Sequence, residues 1–179
     1  INGETETGAT TFFIDDKIDT GEIILSRKTC IEANENAGSL HDRLMHLGAD
    51  LVIETVQLIE KGEVNTTKQP ETGELKSAYK IHKETCKIDW NKDVSDVYNH
   101  IRGLSPYPAA WTHFDEKTFK IFKAKKHIST HNNQNGFVEL TKESINFYCK
   151  NGFIEVTEMQ IQGKKRMKTA DFLRGYKAS

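Results

Sequence analysis

Ile145-Asn146-Phe147-Tyr148-Cys149-Lys150-Asn151-Gly152-Phe153-Ile154-Glu155-Val156 decides how the second half of the chain folds. Apolar and aromatic residues alternate with polar ones on both sides of an Asn-Gly dipeptide. Period-two alternation marks a half-buried strand, because successive side chains point to opposite faces. Asn-Gly suits the left-handed backbone of a tight type I′ turn. A hairpin is predicted, with strands over 144–150 and 153–162 and its turn at Asn151-Gly152. Working outward, further short strands are predicted at 109–114, 118–126 and 136–141. Five short strands with little helix point to a small β-barrel of the OB kind. Thr169 is placed to cap a last helical turn over 170–174.

Toward the N-terminus the periodicity changes. Val94, Val97, Tyr98 and Ile101 share one face of a short predicted helix, with Gly103 after it. Pro106-Tyr107-Pro108 then predicts an extended path. Residues 62–80 have no period and read as a linker. Before them, Leu40, Leu44, Leu47, Leu51, Thr55, Leu58 and Ile59 recur at helical spacing. Ser39 and Asp42 are spaced as a capping pair, and Lys61-Gly62 is a stop. Strands are predicted at 9–14 and 22–28. The first part is therefore α/β. Two strands cannot cover the stripe of so long a helix, so more strands are expected upstream of Ile1.

The 179 residues carry 25 Lys and Arg against 26 Asp and Glu, and no apolar run approaches the 18 residues of a membrane span. The balance is uneven along the chain. Residues 1–80 hold 8 cations and 15 anions, a net −7; residues 81–179 hold 17 and 11, a net +6. A polyanion would be drawn to the second half. The alternative is a chance division of solvated surface charge. Cys30, Cys86 and Cys149 are odd in number and contain no CxxC, so neither a disulfide framework nor a thiolate zinc site is signalled. A reducing, cytoplasmic setting is the expectation.

Three stretches could carry chemistry. Asp19-Thr20-Gly21 places a carboxylate before a small turn, which either presents an acid to a cleft or caps the next strand as an Asx turn. Aspartic proteases share that tripeptide, but they need two such carboxylates and this chain has one. The histidines show no HxH or HExxH spacing, and no phosphate-cradling glycine loop is present, so no metal or P-loop is expected. Gly163-Lys164-Lys165-Arg166-Met167-Lys168 packs four cations into five residues, with Lys123, Lys125 and Lys126 on a neighbouring strand. Such a loop either grips phosphates or is a solvated basic turn. Phe119, Phe122, Phe137, Phe147, Tyr148 and Phe153 fall at strand spacing and read mainly as core.

Five segments, in order, resemble the methionyl-tRNA formyltransferase family. They are Ile1-Asn2-Gly3-Glu4-Thr5-Glu6-Thr7-Gly8-Ala9-Thr10, Ile18-Asp19-Thr20-Gly21-Glu22-Ile23-Ile24, Lys87-Ile88-Asp89-Trp90, the run from Ile101 through Arg102-Gly103-Leu104-Ser105-Pro106-Tyr107-Pro108 to Trp111, and Gly163-Lys164-Lys165-Arg166-Met167. The resemblance implies a partial Rossmann-like formyltransferase domain over 1–61, a linker over 62–80, and a β-barrel, tRNA-binding domain over 81–179. It implies formyl transfer from 10-formyltetrahydrofolate, as co-substrate and without a metal, to the methionyl amino group of initiator Met-tRNA in translation initiation. It makes Asp19 the catalytic carboxylate. It sets Ile14, Asp15, Asp16, Lys17 and Ile18 against the folate, and gives tRNA contacts to Lys80, Lys164, Lys165, Arg166 and Lys168. The family's Asn-x-His element and Ser-Leu-Leu-Pro loop lie upstream and occur nowhere in this sequence. The chain is therefore expected to be an inactive piece of a longer, monomeric, cytoplasmic enzyme. The competing expectation is a stand-alone OB-type RNA-binding module.

Overall fold

A computed structural model describes residues 1–16, 20–70 and 76–176 of the chain. They divide into two units. One comprises Glu4–Glu35 and Ser39–Lys80; the other comprises Ile1–Gly3, Asn36–Gly38 and Ile81–Ser179.

In the first unit β1 (Glu6–Phe12) and β2 (Ile23–Cys30) form an antiparallel pair, close to the predicted spans. A Rossmann-like parallel sheet is not formed by these two strands. Helix α1 (Ala37–Lys61) begins two residues before Ser39, so Ser39 sits in its first turn rather than at its cap. Its end is as the sequence predicts. Gly62 takes φ +69°, its N–H donates to Ile59 and that of Glu63 donates to Leu58. This pairing satisfies the last carbonyls of the helix through a left-handed glycine. Leu51 and Thr55 are the buried part of the stripe, but Ile59 is exposed. A chain of hydroxyls ties α1 to the strands. The Leu25 N–H donates to Thr11 Oγ1 at 3.2 Å, and Thr11 and Thr55 hydroxyls lie 2.8 Å apart. Thr55 in turn donates to the Leu51 carbonyl at 2.7 Å, so its own oxygen accepts from Thr11. Arg43 adds a clamp, reaching Glu35, Thr29 and the Cys30 carbonyl.

The second unit is built on a six-stranded antiparallel sheet in the order β3 (Ala110–Phe114), β4 (Lys117–Ile128), β7 (Gly152–Ile161), β6 (Ile145–Cys149), β5 (Val138–Leu140), with β8 (Met167–Lys168) also on β7. Register shifts along β4 at Ile121–Ala124 bend the sheet. The described strands form an open, bent sheet, half of a barrel, and no pairing of β3 with β5 closes it among them. Helix α2 (Val94–Gly103) buries Val94, Val97, Tyr98 and Ile101, the face the periodicity predicts, and Gly103 is its last residue. Its side chains join Trp90, Phe119, Ile121, Phe147, Ile154 and Met159 in one core, where Trp90 stacks on Phe147 at 4.8 Å. The Trp90 indole N–H is satisfied by Thr112 at 3.0 Å.

Three local expectations are corrected here. The hairpin turn is centred on Lys150-Asn151, with Cys149 opposite Gly152, and neither central residue takes a positive φ. Gly152 serves another need, because a Cβ there would lie 2.0 Å from the His127 carbonyl on β4. Asn151 accepts from the Val94 N–H at 2.7 Å and so caps α2 from the turn between β6 and β7. The left-handed hairpin residues are instead Asp115 and Glu116, at φ 50° and 56°, between β3 and β4. Pro106 to Pro108 lie in turns, not an extended path, where the Ala109 N–H closes back on the Leu104 carbonyl at 2.9 Å. Thr169 is the first residue of α3 (Thr169–Gly175), and its hydroxyl donates to the Val156 carbonyl at 2.7 Å instead of capping the helix.

Candidate functional site

The excursion between β1 and β2 opens where the Phe13 N–H donates to the Glu22 carbonyl at 3.0 Å. Ile14 stands 93% exposed and Phe13 is exposed beside it in sequence, an apolar surface that water does not favour. Asp15 and Asp16 are exposed too, and Asp15 accepts from the Thr20 hydroxyl at 2.7 Å. Lys17, Ile18 and Asp19 lie outside the described residues. On the far side Gly21 is buried, and a Cβ there would sit 1.5 Å from the Phe13 carbonyl oxygen. Glycine is obligatory at that crossing.

The stretch read as a linker takes part in this loop. Thr67 and Ile23 exchange both backbone hydrogen bonds, at 2.7 and 2.9 Å. The Thr66 hydroxyl donates to Glu22, and Gln69 Nε2 donates to the Gly21 carbonyl at 2.8 Å. Sequence reading missed these residues because a two-residue bridge has no period to detect. Lys80 is exposed and belongs to the same unit.

The cationic turn of the second unit is only partly free. Arg166 donates to Glu158 at 2.7 Å and lies 4.3 Å above the Phe122 ring. That guanidinium holds the Glu158 carboxyl below the usual carboxylate range. Lys164, Lys165 and Lys168 are exposed, and Lys164 and Lys165 form no ion pair among the described residues. A second cationic cluster was missed by the sequence reading. Lys83 and Lys87 approach the Trp111 ring, at 6.0 and 5.7 Å, from a segment whose Ile88 N–H bonds the Trp111 carbonyl. The signal was the pair of lysines four apart, ahead of Ile-Asp-Trp. The Cys149 thiol is pushed up to about 11 by burial and is no nucleophile. No group of His, Cys, Asp and Glu able to hold a metal occurs among the described residues.

The chain belongs to the formyl transferase family: residues 1–56 match the model of the formyl transferase domain, and residues 80–177 that of the formyl transferase C-terminal domain. It is 51% identical, over 98% of its length, to the methionyl-tRNA formyltransferase of Flavobacterium johnsoniae, of which it covers 57%. The chain thus spans little more than half the length of the curated relatives it matches. Among solved structures, HypX from Aquifex aeolicus in complex with tetrahydrofolic acid is similar with a TM-score of 0.70 at 20% identity, over 96% of this chain and 30% of that one. Methionyl-tRNA formyltransferase from Clostridium thermocellum is similar with a TM-score of 0.53 at 17% identity, over 89% of this chain and 57% of that one. At these identities the structural likenesses speak for the fold alone.

Proposed function

We propose that the protein to which this chain belongs transfers a formyl group from 10-formyltetrahydrofolate to the amino group of methionine on initiator tRNA. The observation that carries this reading is the 51% identity, sustained over 98% of the chain, to a methionyl-tRNA formyltransferase. In this reading residues 1–61 are the end of a Rossmann-like catalytic domain and 62–80 join it to the next, with Thr66, Thr67 and Gln69 packed back on Gly21, Glu22 and Ile23. Residues 81–179 are an OB-type domain for tRNA. The exposed Ile14, with Asp15, Asp16, Lys17 and Ile18, suits the flat face of a pterin.

Acyl transfer to an amine requires a neutral nucleophile, donors for the tetrahedral oxyanion, and a path for protons. Upstream Asn and His residues supply the donors, each contributing roughly 3 kcal/mol. Asp19 holds that imidazole protonated and oriented and relays a proton through water. Such acid–base help accelerates a reaction about 10²–10⁴-fold. Lys80, Lys164, Lys165 and Lys168 contact tRNA phosphates; Arg166 contributes less, being engaged by Glu158. The full-length protein acts as a cytoplasmic monomer, and residues 1–179 alone do not formylate. A stand-alone RNA-binding module would leave the formyl transferase match of residues 1–56 without a use.

Formylation of Met-tRNA by the full-length protein, with and without Asp19→Asn, tests the proposal. Turnover is expected to fall at least about 100-fold while tRNA affinity stays within about twofold. Near-normal turnover in the variant would remove Asp19 from its role, and absence of formylation by the unaltered protein would overturn the function.

A further inference from the structure

We infer that the two cationic clusters of the second unit are the ends of one phosphate-binding row across its sheet, with Lys120 as the middle contact. The inference rests on the tRNA reading proposed above and adds to it residues that reading does not use. Lys120 lies between Phe119 and Ile121, both fully buried. Strand alternation therefore sends its side chain to the opposite, outer face of β4. Register partners continue the row on both sides. Trp111 of β3 stands opposite Lys120, and Lys120 stands opposite Gln160 of β7. Beyond β3, Lys87 bridges to Trp111 in parallel, and the Ile88 N–H donates to the Trp111 carbonyl at 2.8 Å. At the other end Gln160 Nε2 donates to the Lys164 carbonyl at 2.9 Å. Lys87, Trp111, Lys120, Gln160 and the turn of Lys164 thus follow one another along one line, although its ends are far apart in sequence.

The chemistry of the row suits a chain of phosphates. Lys83 and Lys87 hold their ammonium groups 6.0 and 5.7 Å from the centre of the Trp111 ring. The indole N–H is already given to the Lys83 carbonyl at 2.9 Å, and Trp111 is buried. The ring is thus a floor beneath the cations and not a platform for a base. Lys120 Nζ donates to the Pro108 carbonyl at 3.4 Å, a long contact to a neutral group. Among the described residues Lys120 forms no ion pair, and neither do Lys83, Lys87, Lys164 and Lys165. The carboxylate beside the row, Glu158, is engaged by Arg166 and Lys123. Adjacent strands lie about 4.8 Å apart, so the three steps from Lys87 to Gln160 cover roughly 14 Å. A nucleic-acid backbone laid along the row meets several cations and few base edges. Such binding is blind to base identity and steep in salt, because each cation–phosphate contact releases counterions.

The test uses the full-length protein and initiator tRNA, with Kd measured across a salt series. Lys120→Gln should lower the slope of log affinity against log salt by about one and raise Kd about threefold near physiological salt. Because Lys120 takes no part in the chemistry, kcat at saturating Met-tRNA should stay within about twofold while KM rises. Lys120→Arg keeps the charge and should keep the slope. Lys142→Gln removes an equal charge from the exposed bend between β5 and β6, off the row, and should leave slope and Kd unchanged. If Lys120→Gln lowers the melting temperature sharply, lysine acetylation of the unaltered protein is compared with and without tRNA. Lys87, Lys120 and Lys164 should then be protected together, and Lys142 should not. An unchanged slope in Lys120→Gln, or an equal loss in Lys142→Gln, overturns the row. So does an acetylation pattern in which Lys120 reacts equally with and without tRNA. Each of these leaves the formylation reading standing if the unaltered protein binds tRNA and turns over. An unaltered protein that binds no tRNA overturns that reading, and the row with it.

Discussion

The two units are stabilised by different means. Among the described residues, Leu51 is the one buried hydrophobic residue before Cys86. The second unit buries Trp90, Val97, Ile101, Phe119, Ile121, Phe147, Ile154 and Met159 in one cluster. In the first, hydroxyl and guanidinium contacts join helix to strands, while Met45, Val52, Ile53, Val56 and Ile59 of α1 remain exposed. Apolar burial is the dominant favourable term in folding. The second unit therefore has the means to hold itself together, and the first relies on a thin layer of polar links. Charge follows the same division: the well-packed half is the one with the cationic excess.

The contrast can be tested in order of expected effect. Phe147→Ala removes a ring stacked on Trp90 and is expected to cost about 3–5 kcal/mol in urea unfolding, whereas Leu51→Ala should cost only about 2. Equal costs would erase the distinction. Asn151→Ala takes the cap from α2 and should cost about 1 kcal/mol, read as a lower urea midpoint at unchanged slope. Ile53→Ala in the 179-residue chain should change stability by less than about 0.5 kcal/mol, because the side chain is exposed there. A larger loss would mean that the helix face is covered.

A pH series refines the polar side of the comparison. The Glu158 carboxyl is held low in the folded state, first by its hydrogen bond from Arg166. A carboxyl lowered on folding contributes stability above its unfolded value, and that contribution is lost as pH falls through the folded value. The stability difference between the unaltered chain and Arg166→Met should therefore be full at neutral pH and shrink below the ordinary glutamate range. A difference that is flat across that range would mean that Arg166 acts by packing on Phe122 alone.

Much of this architecture was legible because it rests on local periodicity. Alternation placed β6 and β7 to within a residue or two, and the helical spacing of Val94, Val97, Tyr98 and Ile101 gave the buried face of α2. The errors share a different cause. Gly152 reads as a turn glycine, whereas the space of its missing side chain is taken by the His127 carbonyl of another strand. Thr169 was read as a cap when its hydroxyl reaches Val156. Residues 66–69 were read as linker when Thr67 pairs with Ile23, 44 positions away. In each case a residue type with two plausible uses was assigned its neighbourly one, and a distant backbone group decided otherwise. At the candidate site the basic turn was visible as composition. That Arg166 is already engaged by Glu158, eight residues earlier, was not.

The turn between β6 and β7 has a practical consequence. Hairpin tips are usually where a protein accepts foreign sequence. Here Asn151 tops α2, its carbonyl receives the Ser129 N–H at 3.1 Å, and Lys150 reaches Asp93 at 3.3 Å. Lengthening this tip by an epitope or a fluorophore tag would detach the helix start along with it. The bend over 141–144, whose hydrogen bonds stay within Thr141, Glu143, Ser144 and the nearby Asn146, is the better place for a label.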